Sequence, residues 1–270
     1  MKIVFYTCAT GPEDGFIDDI SEIIPDGLEC YFLHDKHLEP EAVEGKGWKY
    51  INLDEVDGCP TNFGTKQRFG KLLPHRHFPD ADRTIYLDNK WHLTRAALEA
   101  LLRFTLNHDG DCFVPRHPDN RTLAQELLLP FIGGPWSFDE TVRTAEAIKA
   151  YGLDPENFCS VLASFLIRKN NETVNAANEK WYWFVKNTYS GSVRDQPFFC
   201  YSGMPFTLMD HPNESLGLEF GCTFQYGPTT RWRGQPEIKR TEELWIKINE
   251  ILNSIIENKP LAHINHVMML

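Results

Sequence analysis

A short buried strand that ends on polar residues constrains this chain more than any other feature. Residues 84–87, Thr-Ile-Tyr-Leu, combine β-branched, aromatic and aliphatic side chains, and the triplet Asp88-Asn89-Lys90 follows at once. A basic segment with helical spacing precedes the strand and is stopped by Pro74. In an open α/β sheet, ligands bind outside the carboxyl ends of the strands, so we expect Asp88 to point into a cleft.

Strand and helix patterns alternate along most of the chain. Near-continuous apolar runs predict buried strands at residues 2–7, 28–33, 48–53, 84–87, 111–115 and 160–168. Amphipathic spacing predicts helices at residues 65–73, 94–107, 121–129, 138–151 and 172–189. This order is typical of an α/β protein with an open sheet.

Helix ends and a change in composition suggest how the chain is divided. Thr65 and Thr94 are the predicted N-caps of two of the helices, and Thr241 is predicted to cap a last amphipathic helix. Between about residue 210 and that helix the sequence is rich in Gly, Pro and aromatics, with little periodicity. We therefore expect a domain over 1–210, with 211–270 as a C-terminal extension that ends in a helix and packs on the same domain.

The charge balance limits the classes of partner. The chain has 27 Lys and Arg against 38 Asp and Glu, a formal net charge of -11. Such an excess of acid argues against a general nucleic-acid surface or an anionic membrane surface, although a local basic cluster can still bind phosphate.

The termini and the cysteines bear on the compartment. The first apolar run is too short for a signal peptide, and no later segment reaches the roughly 20 apolar residues that span a bilayer, so a cytoplasmic location is expected. The seven cysteines are scattered and include no Cys-x-x-Cys pair. This spacing predicts neither a disulfide framework nor a structural zinc site, and we expect mostly buried thiols.

The Asp88 triplet has the composition of a cation or phosphate site. A carboxylate suits Mg²⁺ or Mn²⁺, which proteins often hold through one or two carboxylates together with phosphates of the substrate. Lys90 stands in the third position, where a second carboxylate would be expected, so it either supplies a fixed cation itself or leaves a metal to find other ligands. His117 and His211 are the candidates for such ligands. The alternative is that Asp88-Asn89 makes only a strand-end turn.

Two further polar groups are candidates for the same site. Lys66, Arg68 and Lys71 lie in one helical segment, where Arg68 and Lys71 share a face and are suited to bind phosphate or ribose; the alternative is a solvated basic face. The triplet 194–196, Arg-Asp-Gln, follows a Ser-Gly-Ser turn, and the alternative there is a helix cap with an ion-pair partner. The aromatic run 181–184 is expected to be core more than a sugar-stacking surface.

In this order the segments resemble the plant-type mucilage-related and turgor-defect glycosyltransferase-like domain family, within the GT-A transferases that use nucleotide-sugars. The matching segments are KIVFYTCATG, TKQRFGKLLPH, IYLDNKWHL, VPRHPDNRTLAQE, SFLIRKN followed by NEKWYWF, and RDQPFFCY. They spread over about residues 1 to 210, and the strand with Asp88 and the Arg-Asp-Gln triplet are the most specific of them.

The resemblance implies a GT-A-like α/β/α sandwich, Rossmann-like and with a mostly parallel central sheet, and a set of site residues. Catalytic roles fall to Asp88, Asp195 and Gln196, of which the last two are similar to the Asp-Gln pair of glycogenin-like retaining transferases. Residues implied to bind the donor or its nucleotide are Thr7, Ala9, Lys66, Arg68, Lys71, Asn89, Lys90 and Arg194. A metal, Mn²⁺ or Mg²⁺, would use Asp88 and His211.

The function implied is transfer of a hexosyl or similar sugar, with retention of configuration by the same analogy, from a nucleotide-sugar donor. The donor expected is a UDP-sugar, and the acceptor is a glycan or another hydroxyl compound. A hydrolase of a lipid or glycoconjugate and a non-catalytic nucleotide or sugar-binding module are the alternatives. All three require the Asp88 and Asp195 segments to meet in one crevice.

Overall fold

The computed structural model describes residues 1–11, 17–89, 91–117, 122, 126–128, 131, 137–152, 161–188, 195–210 and 238–251. In them a seven-stranded sheet has the order β3-β2-β1-β4-β6-β5-β7. The strands are β1 (Ile3–Cys8), β2 (Leu28–His34), β3 (Lys49–Asn52), β4 (Arg83–Leu87), β5 (Cys112–Pro115), β6 (Phe165–Lys169) and β7 (Thr207–Met209). Strand β7 was not predicted, because its three residues form too short a pattern.

The sheet is parallel except at one strand. Strands β1, β2, β3 and β4 run in the same direction, and β5 is parallel to β7. Strand β6 alone lies antiparallel, inserted between β4 and β5. The predicted α/β fold with a mostly parallel central sheet is confirmed, and the direction of β6 is the detail that an apolar run cannot specify.

Seven helices are described, together with two short 3₁₀ helices. The helices are α1 (Glu41–Glu44), α2 (Phe63–Leu72), α3 (Pro74–His77), α4 (Arg95–Asn107), α5 (Phe138–Ala150), α6 (Glu172–Thr188) and α7 (Ile238–Ile251). The 3₁₀ helices are Leu53–Glu55 and Gln196–Tyr201. Of the helix predicted over 121–129, only residues 122 and 126–128 are described, and 126–128 are helical.

Helix starts show which capping predictions were right. Thr94 caps α4 by accepting from the backbone of Ala97, as predicted. The Thr65 prediction was wrong, because Asn62 caps α2 and Thr65 supplies the N–H that its side chain accepts. The Thr241 prediction was also wrong, since α7 already begins at Ile238. Asn and Thr have similar capping ability, so the sequence does not choose between nearby candidates.

Pro74 does not lead into a loop. It begins α3, where its missing N–H costs nothing because the first turn of a helix leaves its N–H groups without helical partners. The two helices α2 and α3 are therefore nearly continuous, and His75 and His77 lie on α3.

Helices cover both faces of the sheet and create two apolar cores. On one face Val4, Tyr6 and Cys8 of β1 pack with residues of α2, α5, α6 and α7. On the other face Ile3 and Phe5 pack with Trp48 and with α4. This alternation along β1 is the two-residue period of a strand that is buried on both sides. The helix α7, from the predicted C-terminal extension, packs on α5.

The aromatic run of α6 is mostly core, as its helical spacing predicts. Trp181, Tyr182 and Phe184 are buried, whereas the Trp183 side chain is half exposed. Adjacent residues on a helix point in different directions, so four successive aromatics cannot all face the core.

The cysteine prediction needs one correction. Cys8, Cys30, Cys59 and Cys112 are free, and three of these four are buried, but Cys200 is disulfide-bonded. Scattered spacing in the sequence does not report which cysteines meet in the fold. No helix among the described residues is long and apolar enough to cross a membrane.

Candidate active site

The parallel strands bring the predicted site residues to one edge of the sheet. In the register of β1 and β4, Tyr6 lies beside Tyr86, so Asp88 leaves the sheet at the level of Cys8. The backbone N–H of Asp88 donates to Ser164 O at 2.9 Å, which fixes the strand end against the segment before β6. Asp88 therefore lies at the carboxyl edge, where α/β sheets bind ligands.

A buried tyrosine donates a hydrogen bond to Asp88. The Tyr86 hydroxyl donates to Asp88 Oδ1 at 2.7 Å, and the ring of Tyr86 lies 5.2 Å below the Lys71 ammonium. Burial, and then the nearby Asp88 carboxylate, raise the pKa of Tyr86 well above its ordinary value, so the phenol stays protonated and remains a donor. Tyr86 was not among the predicted site residues, because its apolar ring reads as core.

Asp195 is surrounded by two cations from α2. Lys71 Nζ lies 2.5 Å from Asp195 Oδ2, and Arg68 Nε lies 3.4 Å from Asp195 Oδ1. The residue is almost fully buried, with 6% of its surface exposed. Burial tends to raise the pKa of Asp195, but Arg68 and Lys71 outweigh it and lower the pKa below the ordinary value, so Asp195 is an anion at neutral pH.

The same lysine also reaches Asp88, which joins the two distant segments. Lys71 Nζ lies 3.7 Å from Asp88 Oδ1, so one ammonium faces both carboxylates. Asp88 also begins the turn of the alternative interpretation, because the Trp91 N–H donates to Asp88 O at 3.2 Å. Asp195 occupies the N-cap position of the 3₁₀ helix Gln196–Tyr201, as the cap alternative expects, although its side chain makes no capping hydrogen bond and its expected partner Arg194 lies outside the described residues.

The backbone of Asp195 is fixed by the aromatic run of α6. Trp181 Nε1 donates to Asp195 O at 2.7 Å, and the indole is fully buried. Gln196 follows directly at the start of the 3₁₀ helix, and 8% of its surface is exposed. Trp181 is therefore both core and a support for the site, a double role that the sequence pattern did not reveal.

Lys66 lies on the same helix but contacts other carboxylates. Its ammonium pairs with Asp54 and lies 3.7 Å from Asp35 Oδ2. Both Lys66 and Lys71 are about 3% exposed, which rules out the solvated basic face as an explanation for these two residues. Five helical residues correspond to a rotation of roughly 140°, which explains why the two lysines face different partners.

The end of β1 contributes to a small cavity beside Asp88. Thr7, Asp88 and Asn89 line it together with Asp18 and Trp91. Thr7 is buried, and its hydroxyl finds no hydrogen-bond partner in the part of the chain that the structure describes. Ala9 is buried, and its N–H already donates to Leu33 O at 3.0 Å. Thr7 and Asn89, more than Ala9, are therefore placed to offer polar atoms to a ligand.

An exposed aromatic ring lies at the same edge of the sheet. Phe63, the first residue of α2, is 44% exposed, and its ring faces Gly11 in the loop after β1. The His37 ring meets it edge-on at 5.0 Å. Asp35 holds this corner together by accepting from the backbone N–H of Gly11 at 3.1 Å and from that of His37 at 3.2 Å. Neither Phe63 nor Asp35 was predicted to be a site residue. The sequence signal for Phe63 was an aromatic residue beside the basic helical segment.

The described residues do not include a complete metal centre. Within the ranges that the structure describes, no group of three or more His, Cys, Asp or Glu side chains could hold an ion. Asp88 Oδ1 already accepts from Tyr86, and the Lys71 ammonium beside it would repel a divalent cation. His117 is described and partly exposed, whereas Lys90, Arg194 and His211 lie outside the described residues.

Comparisons with known proteins give weak similarities. No family model matches the chain, and no curated protein matches it. Mouse xyloside xylosyltransferase 1 has a TM-score of 0.44 at 12% identity, over 76% of this chain and 84% of that one.

Two further transferases give similar values. Glucosyl-3-phosphoglycerate synthase from Mycobacterium tuberculosis, in complex with phosphoglyceric acid, has a TM-score of 0.42 at 9% identity, over 94% of this chain and 81% of that one. The WbbM bifunctional glycosyltransferase has 0.48 at 11% identity, over 99% of this chain and 52% of that one. At these scores no conclusion about activity rests on the similarity.

Proposed function

We propose that the chain is a glycosyltransferase that moves a sugar from a nucleoside diphosphate donor, a UDP-sugar, to a hydroxyl acceptor such as a glycan. One observation carries the proposal. Asp88 and Asp195, from separate segments, meet at a single buried ammonium at the carboxyl edge of the sheet, with Arg68 beside them. The motifs that resemble the plant mucilage-related family support the same assignment, and membership of that family is part of the proposal.

The donor would lie along the sheet edge. Phe63 offers an exposed ring on which a base can stack, and the partly exposed Asn89 offers a polar contact to the ribose, whereas Thr7 lies buried behind it. The diphosphate would lie near Lys71 and Arg68, which supply the positive charge that a phosphate leaving group requires. The role of Lys66 in donor binding is indirect. Through its pairs with Asp35 and Asp54, Lys66 supports the loop after β1.

The chemistry would take place between Asp195 and Gln196. In transfer, the bond from the anomeric carbon to the diphosphate oxygen breaks and a bond to the acceptor oxygen forms, through an oxocarbenium-like state, while the acceptor hydroxyl gives its proton to the departing diphosphate. Asp195 is ionised and rigidly held, so it can orient sugar hydroxyls, and the Gln196 amide would stabilise the positive charge at the sugar. Retention of configuration is proposed only by analogy with the Asp-Gln pair.

Two parts of the proposal stay open as predictions. A role for Mn²⁺ or Mg²⁺ through Asp88 and His211 stays a prediction, and because His211 lies outside the described residues no step here depends on a metal. A cytoplasmic location is also a prediction, and the disulfide at Cys200 weighs against it because disulfides are rare in reducing compartments.

The test is a donor panel. Thermal shift and turnover are measured over UDP-, GDP- and other activated sugars, with and without Mn²⁺ and with and without a hydroxyl acceptor. A transferase releases nucleoside diphosphate faster when an acceptor is present. Equal release without acceptor would indicate a hydrolase, and stabilisation without turnover would indicate a binding module.

Two variants connect the activity to the site. Asp195→Asn should abolish turnover, whereas Asp109→Asn, whose carboxylate is 96% exposed and outside the site, should retain it. Gln196→Ala should lower kcat with little change in donor affinity, because the amide acts on charge that develops in the transition state. Equal loss of binding in Gln196→Ala would contradict that role.

A further inference from the structure

A buried arginine lies under the helix that carries Lys71. Arg168, on β6, has no exposed surface. Its guanidinium donates to Lys71 O at 2.8 Å, to Leu72 O at 3.4 Å and to Asn178 Oδ1 at 2.9 Å, and it also donates to the Tyr6 hydroxyl. In the part of the chain that the structure describes, these contacts include no carboxylate.

Such a charge needs compensation, and the helix end provides it. A buried cation without an anion is costly unless dipoles and hydrogen bonds replace water. Helix α2 ends at Leu72, so the carbonyls of Lys71 and Leu72 belong to the last turn, which has no helical donors for them. These carbonyls carry the negative end of the helix dipole, and Arg168 binds both. The arginine therefore caps α2 from the neighbouring strand.

The capped residue is the one that organises the site. Lys71 O accepts from Arg168 and, at 2.6 Å, from the Tyr6 hydroxyl. The side chain of the same residue extends to Asp195 and Asp88. The backbone of Lys71 is thus fixed from the sheet, while its ammonium is fixed by the two carboxylates.

We propose that Arg168 is a positioning residue of the transferase, which fixes the last turn of α2 so that the Lys71 ammonium lies between Asp88 and Asp195. This inference rests on the proposed function for its kinetic consequence, although the geometry itself can be measured without activity. The guanidinium is suited to the task because its planar fork reaches several acceptors at once, which an ammonium at the same position does not.

The chain offers a matched control in Arg83. It lies on β4, next to β6, and is 4% exposed. Its guanidinium donates to Gly110 O at 3.3 Å and pairs with Asp109 at 3.2 Å, away from the site. Arg83→Lys therefore removes a buried strand arginine in the same way, without touching α2.

The kinetic experiment is a double-mutant cycle on the full chain. Arg168→Lys should lower kcat by roughly 10-fold to 100-fold, the effect of about 1 Å of misplacement, with the donor KM changed less than about threefold. In the Lys71→Met background, Arg168→Lys should cause no further loss, because it acts through Lys71. Arg83→Lys should leave kcat near the wild-type value in both backgrounds. Independent, multiplicative losses from Arg168→Lys and Lys71→Met would overturn the inference.

A structural experiment separates this inference from the transferase proposal. In a crystal structure of Arg168→Lys, Lys71 Nζ should have moved from its position 2.5 Å from Asp195 Oδ2, whereas Arg83→Lys should keep it there. If Arg168→Lys does not fold, Tyr6→Phe removes the other donor to Lys71 O and should move the same ammonium. An unmoved ammonium overturns the positioning role, whatever the donor panel shows. If the wild-type chain turns over no donor but the Lys71 ammonium is displaced in the variant, only the transferase proposal is contradicted.

Discussion

Replacing Gly70 by alanine should push α2 away from the sheet and disable the site. Gly70 lies in α2, next to Lys71, where the helix crosses β1. A Cβ added at Gly70 would lie 2.5 Å from Cys8 Sγ and 3.2 Å from Leu53 Cδ1. Non-bonded heavy atoms prefer about 3.5 to 4.0 Å, so this contact must open by about 1 Å. Because Cys8 is fully buried under the helix, we expect α2 to move more than the Cys8 side chain.

The expected loss of stability in Gly70→Ala is small, whereas the expected loss of activity is large. Overpacking costs about 1 to 3 kcal/mol, and the better helix propensity of alanine returns about 1 kcal/mol, so the net loss of stability is about 1 kcal/mol. For a chain of this size that corresponds to a decrease of about 2 to 4 °C in Tm. A displacement of about 1 Å at Lys71 should instead lower kcat/KM by roughly 100-fold.

The assay is turnover of the donor found by the panel, together with the Tm of each variant. Cys8→Ala removes the sulfur, and the nearest Cys8 atom to the new methyl group is then Cβ, at 3.5 Å. The double variant Gly70→Ala with Cys8→Ala should therefore recover most of the activity, and Cys8→Ala alone serves as the control. Near wild-type activity in Gly70→Ala, or no recovery in the double variant, would refute the reasoning.

Three other perturbations test the electrostatics. Burial raises the pKa of Asp195 while Arg68 and Lys71 lower it, so Lys71→Met should shift the acid limb of kcat/KM to higher pH; an unshifted limb between pH 4 and 8 would contradict the pairing. Asp88→Asn should lower kcat/KM by at least about 100-fold with Tm unchanged within about 2 °C, because a partly exposed carboxylate at the strand end supports little of the core; a large fall in Tm would favour a purely structural turn. Burial lowers the pKa of His77 from 6.5 to about 4. As the pH decreases, the unfolded state therefore binds the proton before the folded state does. The free energy of unfolding then falls between about pH 6.5 and pH 4, by as much as about 3 kcal/mol. Urea titrations of His77→Gln should show a flatter pH dependence than wild type, unlike the exposed control His92→Gln, and equal slopes would reject the explanation.

Local patterns predicted most of the elements. The apolar runs placed the first four strands of the sheet to within a residue or two, since strands buried on both faces leave a clear signal. Thr94 and the spacing of Leu98 and Leu101 predicted α4 correctly. The patterns were less informative where neighbouring residues compete for one role, as Asn62 and Thr65 do at the start of α2.

The residues that hold the site in place were harder to predict than its polar residues. Asp88 could be selected because a carboxylate after a buried strand lies at the ligand-binding edge. Tyr86, Trp181 and Arg168 could not, because a tyrosine or tryptophan in an apolar run reads as core and an arginine at a strand end reads as surface. Their hydrogen bonds to Asp88, to Asp195 and to the end of α2 exist only in the folded chain.

The sequence by itself determined six of the seven strands, most of the helices and the presence of acids and bases suited to a phosphate-bearing sugar. Only the tertiary structure decided which charges meet. Lys66 and Lys71 are the same residue type on one helix, yet one pairs with Asp35 and Asp54 and the other with Asp88 and Asp195. The reason is geometric: helical rotation turns the two side chains to different strand ends, and only the packing of α2 on the sheet determines which carboxylates those ends present.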